Sequence, residues 1–247
     1  MYDFDTTQHL LEVFSEIKEA GWHESRRKGN TGIGKTFEDL LEKEEDNLDE
    51  PDFYDIEIKT HDENAASLVT LFTKSPTNPR GANTYLRENF GMLNEFGLRT
   101  LHQTVSATQR TNSRVYDFDF MIQVDRLNQR VYICVYNKLG ELIDNHIFWS
   151  FEDIQRQLER KLKKIALVSG NRKEENDKVY YKYNRIHLIT GFNIDNLILA
   201  IENGDMKIDI RIGVYKTGRN YGKTHDHGTG FRILDSDLIK YANVIEI

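Results

Sequence analysis

Residues 55–60, Asp-Ile-Glu-Ile-Lys-Thr, alternate strictly between charged and β-branched side chains. A period of two is the signature of a strand with one face for a core and one for a site or solvent. Whatever this chain folds into must carry a sheet here. The run follows Pro51-Asp52, so the turn can bring a second carboxylate beside Glu57, while Glu57 and Lys59 share a face and Ile56 and Ile58 pack behind. Two carboxylates and a backbone carbonyl are hard oxygen ligands of the kind Mg²⁺ takes. An ammonium beside them suits activation of water against a phosphoryl centre. Asp55 shares the Glu57 face and competes with Asp52 for the metal role; the freedom of the turn favours Asp52. Glu38, on the helix expected before the motif, offers a further carboxylate. Glu-x-Lys also occurs in many charged surface strands, so spacing alone leaves a solvated strand open.

Around this strand the pattern is mixed. Leu10, Leu11, Phe14 and Ile17 predict a helix over 6–20, and Thr36 reads as the N-cap of a second helix through Phe37, Leu40 and Leu41. A strand is expected at 67–73, a loop-dominated polar region to about 112, and a hairpin from 115–125 and 131–137. Helical spacing of Phe151, Ile154, Leu158, Leu162 and Ile165 predicts one helix over 150–168. Strands at 180–189 and 207–215, a helix at 194–201, a Gly-rich basic loop at 216–232 and a last short helix near 236–241 complete the reading. This order suggests an α/β or mixed α+β class rather than a bundle or sandwich.

Composition narrows the partners. The 247 residues are 38% hydrophobic and 30% charged, which fits a folded protein with a sizeable core. No apolar run reaches the roughly 18 residues of a membrane helix, and the N-terminus lacks a secretory pattern, so a cytoplasmic location is expected. Cys134, the single cysteine, sits in an apolar strand and reads as a buried, inert thiol. The net charge is −7, yet residues 1–60 hold 17 acidic and 7 basic side chains, whereas 61–247 hold 23 and 26. A local basic surface is therefore compatible with a polyanion.

Gly29-Asn-Thr-Gly-Ile-Gly-Lys35-Thr36 matches the phosphate-binding pattern G-x-x-x-x-G-K-[ST]. That loop needs a buried strand in front of it, and Trp22-His-Glu-Ser-Arg-Arg-Lys28 is no such strand. A helix-entry loop, with basic groups able to touch a phosphate backbone, is the better reading. Between Asp205 and Arg232 stand six Lys or Arg, three Asp, two His and five Gly. Arg offers a fork to guanine, and Asp209 can accept from cytosine N4. His225-Asp-His227 also has a metal-ligand spacing, though without a third nearby ligand other than Asp226.

The runs 28–41, 51–60 and 71–76 together resemble the MvaI/BcnI type of restriction endonuclease, relatives of the nicking enzyme MutH. The stretches 207–213 and 222–232 look like the MvaI branch. The resemblance implies a two-lobed fold: a PD-(D/E)xK core sheet flanked by helices, and a second recognition lobe. Residues 1–110 are expected to be mainly catalytic and 111–247 mainly recognition, with chain crossings between them. It implies Asp52, Glu57 and Lys59 as the catalytic set, supported by Glu38, with Mg²⁺ held by Asp52 and Glu57. Asp209, Arg211, His225, His227 and Arg232 become candidates for base contacts, and Lys28, Lys35, Lys74 and Lys223 for backbone contacts. The implied partner is double-stranded DNA, cut as a monomer one strand at a time at CC(A/T)GG, alongside a DNA methyltransferase of the same specificity. A MutH-like nickase needing a partner and a catalytically dead DNA-binding protein are the alternatives.

Overall fold

A computed structural model describes residues 5–27, 32–41, 50–64 and 68–246. Lys28, the start of the Gly-rich loop, the acidic stretch at 44–49 and Ser67 lie outside the described residues. The chain is mixed α+β and forms two compact units. One comprises Met1–Val69, Leu158–Phe192 and Leu234–Ile247; the other comprises Thr70–Gln157 and Asn193–Ile233. The chain passes between the units more than once, and the strand Ile56–Asp62 pairs with Lys164–Glu175, about a hundred residues later in the chain.

The first unit is built on a five-stranded sheet in the order His23–Glu24, Lys178–Thr190, Lys164–Glu175, Ile56–Asp62, with Asn243–Glu246 also paired to Lys178–Thr190. Ile56–Asp62 stands at the end of that order and runs parallel to its neighbour, Glu57 opposite Ile165 and Lys59 opposite Leu167. Helix Thr6–Ala20 is N-capped by Asp5, whose carboxylate accepts from the amides of Thr7 and Gln8. With helix Gly32–Leu40 it covers one face: Leu10, Phe14, Ile17, Ile33 and Phe37 pack with Ile56, Ile58, Ala166, Val168 and Ile186. Burying each such side chain contributes roughly 1.5–3 kcal/mol. The second helix begins at Gly32, not at Thr36, which lies inside it and is buried.

The helix expected over 150–168 ends at Lys161, and Lys164–Glu175 is a strand. Ile165, Ala166, Leu167 and Val168 are all buried, as a strand between two others and covered on both faces requires. Such a run satisfies helical spacing by accident. Tyr181 and Tyr183 are buried packing residues.

The second unit holds a three-stranded sheet, Phe118–Asp125, Arg130–Asn137, Leu142–Ser150, and a six-stranded one. The latter runs Val69–Thr73, Gly230–Ile233, Lys207–Val214, Arg99–Val105, Met92–Leu93, with Thr224–Asp226 also paired to Lys207–Val214. The expected hairpin and the 194–201 helix are present, the latter as Ile194–Glu202 with a capping box of Asn193 and Asn196. Residues 76–112 are not loop-dominated: they contain helix Ala82–Phe90 and strand Arg99–Val105. Their polarity misleads because the strand buries only one face, through Leu101 and Val105, and the helix buries Asn83 and Arg87. Cys134 is buried, and burial pushes its thiol up to about 11, which leaves it an inert core group. Among the described residues no helix is long and apolar enough to cross a membrane.

Candidate functional site

Glu57 is 2% exposed, which is costly for a carboxylate unless charge is brought to it. Two lysines do so. Lys59 Nζ donates to Glu57 Oε1 at 2.6 Å, and Lys161 Nζ lies 3.6 Å from the same oxygen. The other oxygen, Oε2, is buried and has no hydrogen-bond partner among the described residues. Burial pushes the Glu57 carboxyl above the ordinary carboxylate range; Lys59 opposes that rise, the charge of Asp52 adds to it and Lys161 opposes it. Asp52 precedes the strand, and its Oδ2 accepts from the Ile58 amide at 3.0 Å. Glu57 and Lys59 thus meet on one side of the strand, and Asp52 in the preceding turn bonds to the amide between them.

This donor set fits a hard divalent cation. It offers two carboxylates, one with a buried oxygen that lacks a partner, and the sheet backbone beside them. Among the described residues no group of three or more His, Cys, Asp or Glu gathers as a ready-made metal cluster. Asp55 is engaged elsewhere: it accepts from Thr6 Oγ1 at 2.6 Å and pairs with Lys164 at 2.8 Å. The hydrogen bonds from Lys164 and Thr6 hold its carboxyl below the usual range.

Glu38 lies one turn beyond Gly34 on helix Gly32–Leu40. A Cβ on Gly34 would stand 3.1 Å from Thr60 Oγ1, so the glycine lets this helix approach the Glu57 strand closely. Glu38 shares that helix side by its i,i+4 spacing, and its Oε1 lies 3.9 Å from the same Cβ position. Lys35 is 3.0 Å from Asp39 and 3.9 Å from Glu38, an ion-paired position near the start of the helix. His23–Glu24, the strand before the Gly-rich loop, is a two-residue antiparallel edge strand. This is not the buried parallel strand a phosphate-binding loop requires.

Lys161 is the site residue that the motif could not reveal. It stands at the end of helix Phe151–Lys161, about a hundred residues from Glu57 in the chain, and only tertiary structure joins them.

The second unit gathers a polar face on its larger sheet. Ile208, Ile210 and Ile212 are fully buried, which turns Asp209 and Arg211 to the other side. Arg232 pairs in register with Lys207, and its Nη1 donates to Asp209 Oδ2 at 3.0 Å. Arg211 donates through Nε to the Gly228 carbonyl at 3.2 Å and through Nη2 to that of His227 at 3.4 Å. The ring of His225 stacks on Tyr215 and lies 4.4 Å from that of His227. A Cβ on Gly213 would meet His227 Nε2 at 3.4 Å, so the missing side chain makes room for that ring. Asp209, Arg211, His225, His227 and Arg232 therefore belong to one neighbourhood. Asp226 does not join the two histidines as a ligand. Its carboxylate accepts from Ser75 Oγ, Asn83 Nδ2 and the Gly228 amide at 2.7, 2.7 and 2.8 Å, which fixes the turn that carries them.

Of the other expected backbone contacts, Lys223 is exposed with Nζ donating to Asn220 Oδ1 at 3.2 Å. Lys74 has its carbonyl held by Trp149 Nε1 at 2.9 Å. Thr104 and His102, on the strand beside Asp209 and Arg211, were outside the sequence pattern altogether.

The model of the MvaI/BcnI restriction endonuclease family matches residues 11–240. A solved complex of restriction endonuclease MvaI with its cognate DNA substrate is 55% identical, covers 98% of both chains and has a TM-score of 0.92. Restriction endonuclease MvaI in the absence of DNA is likewise 55% identical over 100% of both chains, with a TM-score of 0.69. No curated protein matches.

Proposed function

Because the chain belongs to the MvaI/BcnI restriction endonuclease family and is thus a type II site-specific endonuclease, we propose that it hydrolyses double-stranded DNA with Mg²⁺ at CC(A/T)GG. It acts as a monomer, nicking each strand in turn. The observation that carries the chemistry is the buried Glu57 carboxylate, with Lys59 on one oxygen and no partner on the other among the described residues. Asp52 and Glu57 hold the cation, with Glu38 in support. When bound, Mg²⁺ supplies a Lewis acid for the phosphoryl oxygen and lowers the pKa of a coordinated water. The Lys59 ammonium orients the attacking water and favours loss of its proton to solvent, and it offsets the negative charge that grows on phosphorus. In-line attack breaks the P–O3′ bond and leaves a 5′-phosphate and a 3′-hydroxyl. The pairing of a guanidinium with a carboxylate at Arg232 and Asp209 suits a G·C-rich site. DNA is the partner, in the company of a methyltransferase that protects the same sequence, and cytoplasmic placement follows from that role.

Digestion of a sequenced plasmid with and without Mg²⁺, followed by sequencing of the ends, tests this. Discrete Mg²⁺-dependent ends at CC(A/T)GG are expected. Ends elsewhere overturn the specificity, and an uncut plasmid overturns autonomous cleavage in favour of a partner-dependent nickase.

Proton and metal compete for Glu57. Its raised carboxyl takes up a proton above the ordinary carboxylate range as pH falls, so cleavage at limiting Mg²⁺ declines on the acid side, and added Mg²⁺ restores it. Lys161→Met removes one of the two cations that hold this carboxyl down. The acid limb of the pH–rate profile should therefore move to higher pH, lowering cleavage at a fixed pH on that limb by up to about tenfold. A limb unmoved by the substitution would show that Lys161 does not act on Glu57.

A further inference from the structure

We propose that His102 is a specificity-determining residue, donating one ring N–H to the N7 of a purine in the major groove. This rests on the endonuclease reading above and names a contact within it. His102 lies opposite Arg211 in the antiparallel pair of Arg99–Val105 with Lys207–Val214, as Thr104 lies opposite Asp209. Residues opposite one another share a sheet face. The Thr104 hydroxyl proves the continuity by donating to Asp209 Oδ1 at 2.9 Å. Leu101 and Val105 are buried while His102 and Thr104 are exposed, so the strand adds a second polar row to the face that carries Asp209 and Arg211.

His102 lines a cleft of about 440 Å³ together with Gly213, Tyr215, His225 and His227. Its backbone is fixed by a hydrogen bond from its amide to Tyr116 Oη at 2.9 Å. Its ring is not committed: among the described residues neither ring nitrogen has a hydrogen-bond partner. A positioned backbone with an unengaged polar ring, on a face otherwise occupied by base-reading candidates, is the arrangement expected of a contact waiting for its ligand.

Electrostatics separates a base from a phosphate as that ligand. Desolvation by the cleft walls holds the imidazole below its ordinary pKa, His227 and Arg211 push it the same way, and only Asp209 opposes. These surroundings favour the neutral ring, which has one donor and one acceptor nitrogen. A phosphate contact favours a cationic ring, which these neighbours resist; a purine N7 asks only for one N–H.

The test uses the whole protein, with Ca²⁺ to permit binding without cleavage, and duplexes carrying the site that cleavage defines. Each purine is replaced in turn by its 7-deaza analogue. Wild-type protein should lose about tenfold in affinity at one purine on losing a single hydrogen bond. His102→Ala should bind the natural site about tenfold more weakly and be indifferent to the 7-deaza change at that purine alone. Affinity for unrelated duplexes should stay within about twofold. If the two changes multiply at every purine, or if His102→Ala weakens cognate and unrelated duplexes equally, the proposal is wrong. If wild-type protein prefers no sequence at all, the endonuclease reading itself fails, and the wild-type titration alone reports that.

Discussion

Lys59→Ala should reduce DNA cleavage by at least about a thousandfold, the scale of losing a preorganised group at a site of growing charge, while sequence-specific binding in Ca²⁺ stays within a few-fold. The size follows from geometry. Lys59 Nζ is 2.6 Å from Glu57 Oε1 and reaches it from the same strand, closer than the 3.6 Å of Lys161. Lys161 remains 3.6 Å from that oxygen and limits the cost of leaving the buried carboxylate, so the variant should fold. Loss of Lys59 also raises the Glu57 carboxyl further, which weakens metal binding at a given pH. Single-turnover rates at saturating Mg²⁺ remove that contribution. A variant that recovers full rate under saturating Mg²⁺ would confine Lys59 to metal affinity, and one that loses specific binding along with cleavage would move it to the DNA interface.

Arg232→Ala should weaken specific binding by about 1–3 kcal/mol and relax discrimination at one guanine. The guanidinium stands in register with Lys207 and donates to Asp209 Oδ2. Removing it withdraws a guanine fork and also frees one oxygen of Asp209, which keeps the Thr104 bond. The neighbouring cytosine position should therefore loosen with it, and competition among single-mismatch duplexes reads both effects. An equal loss on every sequence would instead identify a phosphate contact.

What could be read from the sequence was what local periodicity encodes. The strand at Glu57 and Lys59, the helix at Thr6–Ala20 and the alternation of Ile208, Ile210 and Ile212 all appear as expected. In the helix and along the isoleucines one face is buried and the other is not, and at Ile56–Ile58 the polar–apolar alternation marks the strand even though the Glu57 carboxylate is itself buried. The misread stretch after Lys161 lacks that asymmetry: Ile165 to Val168 are apolar without a break, and helix and buried strand cannot be told apart there without the partners. His102 and Thr104 carry no local signal either. They matter because their strand pairs with residues about 105 positions away, and register is a property of the folded sheet. Lys161 was hidden for the same reason. The family resemblance supplied the candidate roles of Arg211 and Arg232, whereas the Asp209–Arg232 contact and the hydrogen bonds that hold Asp226 belong to the structure alone.

The parallel pairing of Ile56–Asp62 with Lys164–Glu175 has a meaning for a chain as it is synthesised. An edge strand without its neighbour has unpaired backbone groups on both sides and no sheet to set its alternation. A ribosome must therefore deliver well over half of the polypeptide before the strand bearing Glu57 and Lys59 can dock. A truncated product ending before residue 164 holds both carboxylates and the lysine in its sequence but lacks the surface that aligns them. For a protein whose activity is to cut DNA, a chain interrupted before that strand is therefore expected to leave DNA uncut.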